Sequence, residues 1–447
     1  MGGDQSYSMQ SRNGSMLNLR LAQSRRHVES NRKSTVFAQV EISPDLGTEI
    51  AQKNHHICLV IDCSGSMIEE EKMDRAKETA INVVRRLADN DVVSIVTFAD
   101  DSQVLLEPKP ASERQYIENQ INSIVTGYAT AMHAGISKAF DLLLQNRSLS
   151  SSNTINRLVV ITDGLPNVGP CEEEDFTKQA KEIRQSGVTT STTGIGDEYG
   201  EQLLKSISEF GGGNWDHVAN ASDLSKAVND QAIQMQNTII TNPQLRITLM
   251  DGAELFDALA SKPIVMPIAD CKTIGNVTTI GLKDVVKDEP HALHFKIKVP
   301  AGQGENMPFL TAEILEGTNV VAGPHTLEIS YTLDRNLYSI ENKDIFLSHI
   351  ATESTICNGK FIATGDLDAK KRSDTINNVL PNSATLTGLA HDTVANAKAI
   401  QGMIEPDLTE AEKKKLLHRS TMMKDTFTDK LDEAINEIKK PKDGDEE

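Results

Sequence analysis

Between His55 and Asn237 short apolar runs alternate with amphipathic stretches of ten to fifteen residues, and this alternation restricts the fold more than any other feature. Apolar runs at 57–62, 92–98, 103–107, 157–162, 188–195 and 215–218 read as strands. The intervening patterns read as helices: Met73, Ala76, Ala80, Val83, Val84 and Leu87 recur at helical spacing, with Lys77, Arg85 and Arg86 on the other face. Similar patterns cover 111–124, 132–144, 172–185, 198–210 and 222–236, and Gly187 and Gly211 to Gly213 mark helix stops. Strand–helix alternation predicts an α/β domain, a Rossmann-like doubly wound and mostly parallel sheet. Asp100-Asp101 between two strand patterns is a hairpin signal and adds one antiparallel edge strand.

On both sides of this core the period changes to two. Val36, Ala38, Val40 and Ile42 alternate with polar residues before it, and further strand patterns follow at 245–249, 294–299 and 325–329. The flanks are expected to pair as one discontinuous β-sandwich, 15–52 plus 238–341, with the α/β domain, 53–237, inserted in it. Helical patterns at 344–363, at 367–380 and in a long final pair through Ile438 predict a C-terminal helical region, 342–440. Residues 1–14 read as a flexible N-terminus and 441–447 as a disordered acidic tail.

At 447 residues the chain is long enough for about two to four domains. Its 64 acidic against 45 basic residues give a net charge of −19, a field that repels nucleic acid. A basic stretch from Arg12 to Lys33 reads as a solvated arm or strand edge. The five cysteines are widely spaced and form no zinc pattern. With no apolar run long enough to cross a membrane, the expected compartment is the cytoplasm. Gly2 stands in a short pattern compatible with N-myristoylation, whose two fixed positions are easily matched by chance.

The chemistry is concentrated at the end of the first core strand, in Asp62-Cys63-Ser64-Gly65-Ser66. Ligands of open α/β sheets bind beyond the carboxyl ends of the strands. One carboxylate and two hydroxyls at alternate positions suit a hard cation such as Mg²⁺; Mn²⁺ and Ca²⁺ accept the same donors. Thr130, in a loop before a helix, offers another hydroxyl, and Asp163, after the apolar run 158–162, another carboxylate. Cys63 reads as inert packing, and Ser64 and Ser66 lack the elbow motif of a hydrolase nucleophile. His133 and His217 have no carboxylate partner at a recognisable spacing.

These three motifs, with their order and spacing, resemble the von Willebrand factor type A domain with a metal ion-dependent adhesion site. The resemblance implies that Ser64, Ser66 and Thr130 contact the cation through hydroxyls, with Asp62 and Asp163 acting directly or through water. It further implies that the cation takes a Glu or Asp carboxylate from a partner protein. Ala129 stands where the family usually has glycine. The flanking architecture looks like stand-alone, intracellular prokaryotic members and, more distantly, inter-alpha-trypsin inhibitor heavy chains. For the prokaryotic members the family suggests scaffolding, in some cases beside AAA+ ATPases or kinase and phosphatase systems.

The resulting expectation is a non-enzymatic, Mg²⁺-dependent protein-interaction module. The alternative is a self-assembling structural scaffold, an oligomer in which the metal is incidental; metal-assisted hydrolysis would need a base that the sequence does not supply. Family members often shift the last core helix on ligand binding, so 222–236 is the expected relay to the β region.

Overall fold

The computed structural model describes residues 16–45, 53–145, 154–196, 200–218, 237–268, 271–287, 289–404 and 408–421. The expected N-terminal arm, the relay at 222–236, the tail and the chain beyond 421 lie outside them. The described residues fall into two compact units. One is drawn from Glu49–Asn242 and Leu282–Val286, the other from Met1–Thr48, Pro243–Gly281 and Lys287–Glu447.

The first unit is built on a six-stranded sheet. Across it the strands run Ser102–Pro110, Val92–Phe98, Asn54–Asp62, Thr154–Thr162, Val188–Ile195 and Gly212–Val218. All neighbours are parallel except the first pair, the antiparallel hairpin edge. Side chains of Asn54–Asp62 alternate between two buried faces, as the period of two requires. Ile57, Leu59 and Ile61 pack with Lys72–Arg86 and Arg114–Asn122. Cys58 and Val60 pack with Met132–Gln145, Glu173–Gln185 and Glu201–Gly211. From Asn54–Asp62 the chain moves outward through two strands, then returns to the opposite side with Thr154–Thr162. The order therefore reverses between the two central strands, where doubly wound sheets open a crevice.

Strand bounds at 92–98 and 188–195 coincide with the sequence reading. The last strand instead starts at Gly212, because this glycine caps the preceding helix in the left-handed conformation (φ 75°) and the chain extends at once.

The second unit holds two further sheets. One is antiparallel, in the order Leu17–Gln23, Ser34–Pro44, His291–Val299, Glu254–Lys262 and Met266–Pro267. The other runs Cys271–Ile274, Val277–Gly281, Gln244–Leu249, Met307–Glu316, Asn319–Thr332 and His27–Glu29. A Cβ on Gly323 would stand 3.1 Å from the Leu19 side chain, so the sheets touch there. Lys343–Thr364 packs on the first sheet, with Phe346 and His349 at 5.2 and 4.9 Å from the Phe37 ring. Leu367–Asn377 and Gly388–Met403 complete a small helical core around Ile350, Ile376 and Val394.

Two features differ from the sequence reading. The helices belong to the same unit as the β strands, because Phe37 and Ala22 need Ile345 and Phe346 to bury their apolar face. Residues 238–242 and Leu282–Val286, expected within the β-sandwich, belong to the α/β unit, where Val285 and Val286 pair with Thr238–Ile240. The described part of the basic stretch occupies the edge strands Leu17–Gln23 and His27–Glu29 and the turns after them. Its Arg25 pairs with Glu341 at 3.2 Å, and Arg32 pairs with Glu29.

Candidate metal centre

Asp62 ends one central strand and Asp163 follows directly on the other, so the reversal of strand order brings both carboxylates to one crevice. Both are buried, at 0% and 1% exposure. Asp62 is held by two neighbours: the Ser64 amide donates to Oδ1 at 2.8 Å, and the Thr162 hydroxyl donates to Oδ2 at 2.5 Å. Burial pushes the Asp62 carboxyl up to about 6 against the lowering effect of these bonds, and neighbouring Asp163 adds to the rise.

The hydroxyls form a chain. Ser64 Oγ lies 3.1 Å from Ser66 Oγ, which donates to Asp163 Oδ1 at 2.9 Å. Thr130 comes from a separate loop, whose backbone is clamped by Asn167. The Thr130 amide donates to Asn167 Oδ1 at 2.8 Å, and the Asn167 amide donates to Thr130 O at 3.1 Å. The same loop is tied to the first motif by Gly127 N to Cys63 O (2.6 Å) and Gly65 N to Tyr128 O (3.3 Å).

Gly164 shows where these groups converge. A Cβ there would stand 3.7 Å from Ser66 Oγ, 3.8 Å from Thr130 Oγ1 and 3.9 Å from Asp62 Oδ2. The glycine keeps open a space faced by three oxygens from two segments, Asp62 to Ser66 and the Thr130 loop. Asp163 Oδ2 is buried and receives no hydrogen bond; the charge near it is Lys72 Nζ, at 3.2 Å. Adjacent oxygens around an octahedral Mg²⁺ with bonds of about 2.1 Å stand about 3.0 Å apart. The two hydroxyl-chain spacings have that value, so hydrogen-bonded neighbours can become co-ligands with little movement. On these grounds the donor set fits a small hard cation. Among the described residues no group of three or more His, Cys, Asp and Glu side chains could hold a metal.

The structure thus places all five sequence-derived residues, Asp62, Ser64, Ser66, Thr130 and Asp163, around one crevice. Four residues that sequence reasoning did not single out complete it: Thr162, Gly164, Asn167 and Lys72. Only Asn167 carried a usable cue, since a short polar side chain after proline in a loop commonly binds backbone. Cys63 points away from this chemistry. Its thiol donates to Phe98 O at 3.2 Å, and burial pushes it up to about 11.

Comparison with known proteins bears on the family and the fold. Residues 56–232 match the family model of the von Willebrand factor type A domain. The uncharacterized protein YfbK of Escherichia coli K12 is 31% identical over 193 residues, 43% of this chain and 33% of that relative. The chain therefore spans about a third of the length of YfbK. Among solved structures, a von Willebrand factor type A protein from Catenulispora acidiphila superposes with a TM-score of 0.72 at 16% identity, over 93% of this chain and 99% of that one. The ArnB paralog VWA2 from Sulfolobus acidocaldarius gives 0.62 at 18% identity, over 91% and 97%. The α/β unit carries a von Willebrand factor type A domain, and its fold is that of these structures.

Proposed function

We propose that this type A domain is a non-enzymatic, Mg²⁺-dependent capture module for a protein partner. Ser64, Ser66 and Thr130 would hold the cation with Asp62 and Asp163, and the cation would take a Glu or Asp carboxylate of the partner. The observation that carries this reading is the convergence of three oxygens over Gly164 beside a buried carboxylate oxygen that receives no hydrogen bond. A bound Mg²⁺ supplies a Lewis-acidic position that two carboxylates do not neutralise in excess. The surroundings suit a docking face. Ile68, Tyr128 and Leu165, each two residues from a candidate ligand, are 67%, 90% and 62% exposed. Large apolar groups beside a cation favour an acidic residue flanked by apolar side chains. The two β sheets of the other unit, read as a sandwich with its helices, would serve as the scaffold.

All five cysteines are unpaired with one another, which suits the reducing cytoplasm as the place of action. Among the described residues no helix is long and apolar enough to cross a membrane.

The test is capture of partners by the immobilised full chain in Mg²⁺, repeated in EDTA and with Asp62→Asn, whose fold is checked by circular dichroism. The expected result is at least about a tenfold loss of captured partner in both, the scale on which removing one ligand or its contacts lowers metal affinity. Capture unchanged by chelation and by the substitution would move the function to a structural scaffold in which the metal is incidental.

A further inference from the structure

Lys72 stands at an improbable place. It opens the helix Lys72–Arg86, where the positive end of the helix dipole disfavours a cation. It follows Glu71, a non-glycine residue in the left-handed conformation (φ 59°). Its side chain is only 8% exposed, whereas lysine is almost never buried without a paired charge. The ammonium lies 3.2 Å from Asp163 Oδ2, the same oxygen that receives no hydrogen bond. Its stem runs over Gly196, whose absent side chain leaves room for it: a Cβ there would meet Lys72 Cε at 3.1 Å. Three local costs are thus accepted to bring one positive charge to the edge of the cation crevice.

We infer that Lys72 is an internal cation that competes with the divalent metal for Asp163 and so sets the metal affinity of the site. This rests on the reading of the site as a divalent-cation centre. Without metal, the ammonium neutralises Asp163 and allows two buried carboxylates to coexist. When a dication enters, Asp163 Oδ2 is shared or surrendered, and the ammonium is left close to a like charge. Even with water-like screening, a unit positive charge about 5 Å from a dication weakens its binding by about tenfold. Because Lys72 is the first residue of its helix, metal occupancy is also coupled to the start of that helix.

The experiment is Mn²⁺ titration of the intact, metal-stripped protein by calorimetry, comparing wild type, Lys72→Met and Lys72→Arg, with melting temperatures in EDTA and in Mn²⁺. Lys72→Met should bind Mn²⁺ about tenfold more tightly than wild type. It should also gain more melting temperature from the metal, because Asp163 then has no other countercharge. Lys72→Arg, which keeps the charge, should bind no more tightly than wild type. If wild type binds Mn²⁺ and Lys72→Met binds it equally or more weakly, the inference is overturned while the cation reading stands. Equal tightening by Lys72→Arg overturns it as well, since charge would not be the cause. Failure of wild type and Lys72→Met alike to bind Mn²⁺ overturns both the inference and the cation reading.

Discussion

Replacing Arg157 by Ala is expected to destabilise the α/β unit by about 3–5 kcal/mol, the range for breaking a buried ion pair from one side. Arg157 sits within the central strand Thr154–Thr162, between Ile57 and Thr189 of the neighbouring strands, and is 5% exposed. Its Nη2 donates to Asp284 Oδ2 at 3.2 Å and to the Thr238 hydroxyl at 2.7 Å. Asp284 also accepts from the Thr189 hydroxyl at 3.2 Å and from the Asn242 amide at 2.9 Å. Asp284 belongs to Leu282–Val286, the segment that re-enters this unit after the chain has left it. The ion pair therefore fastens a remote piece of chain to the sheet, helped by Arg184, which donates to Leu282 O, and by Lys283, which donates to Asn214 Oδ1 at 2.8 Å. Urea denaturation followed by Trp215 fluorescence reads this unit, since Trp215 lies in its core. The paired replacement Arg157→Met with Asp284→Leu should cost less than Arg157→Ala alone, because it strands no buried charge. A loss under about 1 kcal/mol for Arg157→Ala would mean that the segment is held by packing alone.

Acid should weaken the β and helical unit well before its carboxylates are neutralised. His294 is fully buried, its Nε2 lies 2.8 Å from Ser261 Oγ, and its ring faces His349, which pairs with Asp257 at 3.3 Å. Burial pushes His294 down to about 3, and the nearby His349 pushes it the same way. The unfolded chain takes up a proton at this histidine near pH 6.5, while the folded chain does not until about pH 3. Between these values the unfolded state binds more protons, so stability falls as pH falls, by about 3 kcal/mol between pH 7 and pH 4. Urea midpoints measured by circular dichroism should show this slope in wild type, and His294→Gln should flatten it. An equal slope in both proteins would remove His294 as the cause. In the metal-free α/β unit the dependence should be smaller. His56, held down near 4 by burial, acts in the same direction, but Asp62, pushed up to about 6, acts in the opposite one.

Much of the α/β unit was legible because its strands are buried on both faces and its helices on one, so the periods of two and 3.6 are both written in apolar residues. The candidate ligands were legible because Asp62, Ser64 and Ser66 stand within five consecutive positions, Thr130 shortly precedes a helix pattern and Asp163 directly follows an apolar strand pattern. What escaped was determined by partners distant in sequence. Arg157 reads as an exception within an apolar strand until Asp284, 127 residues away, is brought beside it. Lys72 reads as one more charge on an amphipathic helix, and its burial depends on Gly196 and Asp163. Asn167, a polar side chain after proline, signals a backbone contact, but that its partner is Thr130, 37 residues away, is not written locally. The grouping of the helices with the β strands rests in part on an apolar seam, Ala22 and Phe37 against Ile345 and Phe346, and both sides of it read as ordinary buried faces.

The five side chains proposed as ligands should form one divalent-cation centre. Its most direct test is Mn²⁺ binding to the intact, metal-stripped protein, measured by electron paramagnetic resonance for wild type and for Asp62→Asn, Ser66→Ala and Thr130→Val. One bound Mn²⁺ per wild-type chain is expected, with at least about tenfold weaker binding in each variant, because each removes an oxygen facing the space over Gly164. One bound Mn²⁺ that all three variants retain with wild-type affinity, or no bound Mn²⁺ in the wild-type chain, would contradict it.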